Sequence, residues 1–111
     1  MPQSKSPESR VFTYREAVAL LPRIQQLTET ARQDVESLTA AATNPEQAQA
    51  AADHVVRSWA EAIVDLGLEV KGLWLVDFDN GSGYYCWRYP ESGLHYFHSY
   101  EDGFGGRMRI Q

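Results

Sequence analysis

The chain has 111 residues with 10 basic and 15 acidic side chains, a net charge of −5 at neutral pH. This length fits one domain built around one hydrophobic core. No run of basic side chains is present to neutralise a phosphate backbone, so nucleic acid is not an expected partner.

The cellular setting is indicated by features that the sequence lacks. No apolar run approaches the roughly 20 residues that span a bilayer, and the polar N-terminus has no signal-peptide core, so a membrane partner is not expected. Cys86 is the only cysteine and therefore cannot form an internal disulfide. These features predict a cytoplasmic protein.

The first ten residues and the start of the fold have different compositions. Residues 1–10 carry two prolines and three serines but almost no apolar side chain, which predicts a disordered tail. The folded domain is expected over residues 11–111. Thr13 and Glu16 have the spacing of a capping box, in which each side chain accepts a hydrogen bond from the other residue's backbone amide.

Two amphipathic helices are predicted to form a hairpin over residues 13–66. Apolar side chains recur at steps of three and four along both helices. Pro22 predicts a bend in the first helix. Asn44 and Pro45 are typical of a helix start, and Gly67 of a helix end.

Residues 73–110 predict a small antiparallel sheet. Ten of the thirteen aromatic residues lie between Trp74 and Phe104, and the Asn80-Gly81 and Ser92-Gly93 pairs mark hairpin turns. We therefore predict an α+β fold in which the helical hairpin precedes a three-stranded meander, with a short fourth strand as an alternative.

The predicted register assigns the polar residues of this sheet to faces. Pairing Phe78 with Tyr84, and Tyr89 with Leu94, brings Asp77 and His98 into one row and turns Cys86 to the opposite face. On this prediction Cys86 is a small packing residue. His98 and Asp77 are the candidate catalytic residues, with an acid or base oriented by a carboxylate. The alternative is a polar patch on the solvent side.

Several other polar residues are candidates for ligand binding: Arg88, Glu91, Glu101 and Arg107. Arg107 follows a glycine-rich loop, and either an ion pair with Asp77 or Glu101 or an anion contact fits it. His98, Asp77 and Glu101 are the candidates for a metal site, although no cofactor is expected. Trp87 is assigned to packing and Gly103 to the loop, while Thr13 and Glu16 are structural.

An ordered set of short motifs resembles a bacterial family of uncharacterised conserved proteins, domain of unknown function 2203. The motifs are FTYREAVALLP, GLEVK, LVDF, CWR, FH and GFGGR, and they extend from Val11 to Ile110. The resemblance implies a helical hairpin followed by a small antiparallel sheet, and it brings no established activity. The recurrent polar positions that it implies are Asp77, Cys86, Arg88, Glu91, His98 and Arg107.

The leading hypothesis is a non-enzymatic interaction module that forms a homodimer through its helical hairpin. A three-stranded sheet is too short to cover the apolar stripe of both helices, and a second copy or an unidentified protein partner can cover the remainder. The alternative is a small enzyme, or a metal- or anion-binding protein, that uses Asp77, His98 and Arg107.

Overall fold

Two antiparallel helices form the first half of the computed structural model, which describes residues 10–111. Helix α1 covers Tyr14–Ala41 and helix α2 covers Pro45–Asp65. The tail predicted over residues 1–10 lies outside the described residues, apart from Arg10. No helix of the described chain is long and apolar enough to cross a membrane.

The helix ends follow from the capping residues. Thr13 and Glu16 form both hydrogen bonds of the capping box, which confirms the predicted start of α1. Asn44 accepts from the Gln47 amide at the start of α2, and Gly67 adopts φ +97° after its end. The predicted bend at Pro22 does not divide α1, because one missing hydrogen bond is tolerated within a helix of 28 residues.

The sheet has five antiparallel strands, so the prediction of three was wrong. In chain order they are β1 Glu69–Gly72, β2 Leu75–Asp79, β3 Tyr84–Arg88, β4 Tyr96–His98 and β5 Met108–Arg109, and neighbours in sequence are neighbours in the sheet. β1 escaped prediction because no turn residue separates it from β2. The connection uses Trp74 at φ +57°, and the Trp74 ring packs edge-to-face on Trp59.

The register differs by one residue from the prediction in both central hairpins. Phe78 pairs with Tyr85 rather than Tyr84, because the β2–β3 turn contains four residues between Asp79 and Tyr84. Tyr84 pairs with His98 on β4. A shift of one residue moves a side chain to the other face of a strand, so Cys86 lies on the same face as Asp77 and His98.

The two faces of the sheet have different covers. Val76, Phe78 and Trp87 point to the helices and belong to the main hydrophobic core. The opposite face is covered by residues 99–107, which include a short 3-10 helix at Phe104–Gly106. The candidate functional residues lie under this segment, which we call the cover segment.

Candidate metal centre

Three side chains from adjacent strands converge on the sheet face beneath the cover segment. Asp77 on β2 is directly opposite Cys86 on β3. His98 on β4 is opposite Tyr84, two residues before Cys86. One ligand atom from each of Asp77, Cys86 and His98 lies within 4.8 Å of the other two. Within residues 10–111, no other group of three or more His, Cys, Asp or Glu side chains is arranged closely enough to share a metal ion.

This Asp-Cys-His cluster is buried despite its polarity. The exposed fractions are 0% for Asp77, 1% for Cys86 and 3% for His98. The prediction of a patch displayed to solvent was therefore wrong for Asp77 and His98, because the cover segment shields this face. Buried polar groups are stable only when they find partners.

Both nitrogens of the His98 ring face oxygen atoms. Nδ1 lies 2.8 Å from the carbonyl oxygen of Ser99, and Nε2 lies 2.9 Å from Asp77 Oδ2. A carbonyl oxygen can only accept a hydrogen bond, so Nδ1 carries a hydrogen atom and donates a hydrogen bond to this oxygen. Nε2 then faces the carboxylate across one shared position, which a proton or a metal ion can occupy.

The second oxygen of Asp77 is buried without a conventional partner. Asp77 Oδ1 makes no hydrogen bond with correct geometry to any described residue. The Cys86 thiol is the weak donor on the neighbouring strand that interacts with this carboxylate. A buried oxygen with unused capacity to accept indicates a place for a cation or a donor.

Burial shifts the pKa values of two members of the cluster. It raises the pKa of Asp77 above its ordinary value, and the neighbouring His98 side chain offsets this effect only in part. Burial, together with the Asp77 carboxylate, raises the pKa of the Cys86 thiol to about 12. Cys86 is therefore a protonated thiol at neutral pH unless a metal ion displaces its proton.

A cavity of about 220 Å³ adjoins the cluster. The three cluster residues form part of its wall, and the remaining wall comes from strands β1 and β2 and from the cover segment: Lys71, Leu75, Asp102, Gly103 and Phe104. Lys71 Nζ lies 3.1 Å from Glu69 Oε1. Two opposing effects act on the pKa of Lys71: burial lowers it, and the hydrogen bond and charge of Glu69 raise it. The net pKa lies above its ordinary value, so Lys71 keeps its charge.

Arg107 fastens the end of the cover segment to the sheet. It pairs with Glu91 at 2.8 Å, rather than with the predicted Asp77 or Glu101. Its guanidinium lies 4.0 Å from the centre of the Tyr96 ring and 4.1 Å from that of Phe104, and Nη1 lies 3.9 Å from Cys86 Sγ. Arg107 is thus committed to an ion pair next to the cluster.

The remaining candidates lie at the edge of the cluster or away from it. Glu101 is exposed and does not join the metal-binding group, in which Cys86 takes the predicted place of Glu101. Arg88 is exposed, and its guanidinium packs on the Phe104 ring.

Trp87 is buried in the core, as predicted, and its Nε1 donates to the Glu91 carbonyl. At Gly103 an added Cβ would meet no atom within 4 Å.

Cys86 was not predicted as a cluster member because the predicted register differs by one residue from the observed one. Cys86 and Trp87 lie three and four residues after Gly83, and the turn residues leave the pairing of this strand ambiguous by one position. The signal that could have resolved it is the apolar alternation of Val76, Phe78 and Trp87, since these residues must share the helix-facing side.

The fold and the site together define an α+β protein in which a helical hairpin precedes a five-stranded antiparallel sheet that buries a candidate metal centre. A family model described as uncharacterised conserved protein, DUF2203, matches residues 10–110. The chain belongs to this family, which confirms the resemblance seen in its motifs. No curated protein and no solved structure matches the chain.

Proposed function

We propose that the protein binds a first-row transition metal ion, of the zinc class, through Asp77, Cys86 and His98. The observation that carries this proposal is the convergence of carboxylate, thiol and imidazole ligand atoms within 4.8 Å in a buried site. The buried Asp77 oxygen without a conventional partner adds support, since a cation would satisfy it.

The types of ligand select among metals. A thiolate and an imidazole suit Zn²⁺ and its neighbours in the first transition row, whereas Ca²⁺ and Mg²⁺ prefer sites made of oxygen atoms. The Nδ1–H of His98 donates to the Ser99 carbonyl, which leaves Nε2 for the metal. Such an outer hydrogen bond commonly orients a histidine ligand.

The spacing of the ligand atoms suits a metal after a small adjustment. Metal bonds of about 2.0 to 2.3 Å place tetrahedral ligand atoms roughly 3.3 to 3.6 Å apart. Asp77 and His98 are slightly closer, at the 2.9 Å of their hydrogen bond. Loading would replace the proton between them and the thiol proton of Cys86, so metal binding should release protons.

Cobalt titration tests the proposal, because Co²⁺ reports a thiolate ligand through a charge-transfer absorption. Protein stripped with a chelator should bind one Co²⁺ per chain and develop this absorption. Cys86→Ser should abolish the absorption and weaken metal binding by at least about tenfold, the lower end of the loss seen even for outer-sphere changes.

The matched control is Tyr84→Phe, which removes a hydroxyl on the same face but no cluster atom. The Tyr84 hydroxyl donates its hydrogen bond to Glu69, which is not a cluster residue. The Tyr84→Phe variant should therefore bind Co²⁺ like the unmodified protein. Failure of the unmodified protein to bind Co²⁺ or Zn²⁺ would contradict the proposal. Equal metal binding by Cys86→Ser would remove Cys86 from the site.

A second candidate function is homodimerisation through the helical hairpin, and one observation favours it. The last buried residue of α1 is Ala31 and the first of α2 is Val55, so residues 32–54 contain no buried side chain. A groove of about 730 Å³ adjoins this part of the hairpin, and Leu73 and Trp74 contribute to it. A second hairpin packed there would form a four-helix bundle.

Light scattering at micromolar concentration tests the dimer. We expect twice the mass of the chain, and we expect Leu73→Glu, which places a charge in the wall of the groove, to yield a monomer. Met108→Glu is the matched control, because Met108 is similarly exposed but lies on β5. A monomeric unmodified protein would contradict this proposal.

A cytoplasmic location is part of the metal proposal. A reducing compartment such as the cytoplasm would keep the Cys86 thiol available to bind a metal ion.

A further inference from the structure

We propose, on the basis of the metal site above, that the bound ion keeps one coordination position open to the 220 Å³ cavity and binds there a small carboxylate whose charge is paired with Lys71. The ligand class is a short-chain carboxylate with a few non-hydrogen atoms. Binding of this kind goes beyond holding a metal, because it gives the centre a small molecule to recognise.

The open position follows from the number of protein ligands. Zinc sites with four protein ligands are structural, whereas three protein ligands leave a position for water or a substrate. Asp77, Cys86 and His98 form a group of three among the described residues, and all three line the cavity. A position directed away from these residues therefore points into space that solvent or a ligand can enter.

The volume of the cavity limits the size of that ligand. A water molecule occupies about 30 Å³ of liquid, so a space of this size corresponds to a small group of waters. A molecule the size of acetate fits within it, and a nucleotide or a folded peptide does not. Gly103 and Phe104 come from the cover segment, so the same cavity is bounded by residues on both sides.

Charge selects a carboxylate over a neutral molecule of the same shape. A divalent ion bound by one thiolate, one carboxylate and a neutral imidazole has no net charge, so the metal complex does not repel an anion. Lys71 adds a positive charge to the same cavity wall. An ammonium group has three donors, and the contact with Glu69 accounts for one of them.

The placement of Lys71 relative to the cluster supports its assignment. Its Nζ lies 4.4 Å from the centre of the Tyr84 ring, and this ring lies 5.4 Å from the His98 ring. Asp102 also lines this cavity and contributes an opposing charge, and water and salt screen both Asp102 and Lys71 because both side chains are exposed. Lys71 is the cation in this cavity wall, so we assign it the contact that would distinguish an anion from a neutral ligand.

Titration of the Co²⁺-loaded protein with acetate and with acetamide tests the inference. The two probes have the same shape and differ in charge. Acetate should change the visible d–d absorption of the bound Co²⁺ at concentrations where acetamide does not. Lys71→Met should weaken acetate binding by at least about tenfold, as expected for losing one charge-assisted hydrogen bond.

Two further variants separate local from general effects. Lys71→Arg should restore part of the acetate affinity, because it returns the positive charge. Arg109→Met is the matched control, since Arg109 is an exposed cation on β5 outside the cavity wall, and it should leave acetate affinity unchanged. All of these variants should bind Co²⁺ as the unmodified protein does.

The outcomes distinguish this inference from the proposed function. If Co²⁺ binds but acetate acts no more strongly than acetamide, or Lys71→Met binds acetate normally, the carboxylate inference is overturned and the metal site stands. If the unmodified protein binds no Co²⁺, both are overturned. Selective acetate binding that depends on Lys71 supports both.

Discussion

At the centre of the sheet the two faces are equally buried but have opposite chemistry. Val76, Phe78 and Trp87 on the helix-facing side are at most 1% exposed, and Asp77 and Cys86 between them in sequence are as well hidden. Alternation along these strands therefore separates an apolar core from a polar pocket, instead of separating the inside of the protein from solvent. The comparison shows that burial alone does not identify a structural residue in this sheet.

The two faces should also contribute differently to stability. Burying apolar side chains stabilises the fold, whereas burying polar groups costs free energy unless their partners are complete. The helix-facing side therefore supplies stability in the absence of any ligand. The Asp-Cys-His cluster is expected to supply stability only when a metal ion completes its contacts.

The largest expected effect comes from Phe78→Ala on the helix-facing side. Phe78 is 0% exposed and packs edge-to-face on Phe12. Removing its ring should lower the free energy of unfolding by about 3 to 5 kcal/mol, whether or not metal is present. Urea unfolding with chelator and with Zn²⁺ measures both values. A loss that appears only with Zn²⁺ would contradict the separation of the two faces.

The next effect belongs to the cluster and depends on metal. Zn²⁺ at a free concentration one hundred times its dissociation constant should raise the free energy of unfolding by about 2.7 kcal/mol. At the same Zn²⁺ concentration Cys86→Ser should gain much less. Thermal unfolding with and without Zn²⁺ compares the two proteins. Equal stabilisation of both would mean that Zn²⁺ acts elsewhere.

The helical half of the fold was predictable because its signals are local. The capping box of Thr13 and Glu16, the Asn44-Pro45 start and Gly67 each act within a few residues. The number of strands was not predictable in the same way. β1 ends in a connection that uses Trp74 at a positive φ, and packing on Trp59 rather than turn chemistry supports this conformation.

The candidate site was predictable only in part, because it depends on pairing between distant strands. Asp77 and His98 were expected to be neighbours, and their 2.9 Å contact agrees with that expectation. The position of Cys86 depended on a register that turn residues leave uncertain by one position. Burial of the cluster depends on the cover segment, whose glycines give no periodic signal of where it packs.

A smaller effect should follow from releasing the cover segment with Arg107→Met. The methionine keeps an apolar stem against Tyr96 and Phe104 but loses the ion pair with Glu91. In that pair the side chain of Arg107 is 12% exposed and that of Glu91 is 22% exposed. The expected loss is about 1.5 kcal/mol, at the low end for a charged hydrogen bond because solvent reaches the pair.

A double-mutant cycle isolates this contact from other consequences of the substitution. Glu91→Gln should lower stability in the unmodified background and have less effect in Arg107→Met. Urea unfolding of the four proteins gives the coupling free energy. Effects that add within about 0.3 kcal/mol would show that the pair does not hold the cover segment.

The smallest effect concerns a polar contact at the exposed edge of the helix-facing side. The Tyr89 hydroxyl donates to Glu29 at 2.6 Å, and this bond, followed by that of Arg32, lowers the pKa of Glu29 below its ordinary value. A carboxyl group with a lowered folded pKa stabilises the fold above its unfolded pKa and loses that contribution as the pH falls through the folded value.

Tyr89→Phe should therefore have a lower melting temperature than the unmodified protein at pH 7, and the difference should shrink as the pH falls below 4.5. Tyr14→Phe is the matched control, because the Tyr14 hydroxyl donates to the uncharged carbonyl of Leu94. Its effect should not follow the titration of Glu29. A Tyr89→Phe difference that stays constant with pH would show that the ring's packing, rather than its bond to a charged carboxylate, determines the contribution of this edge.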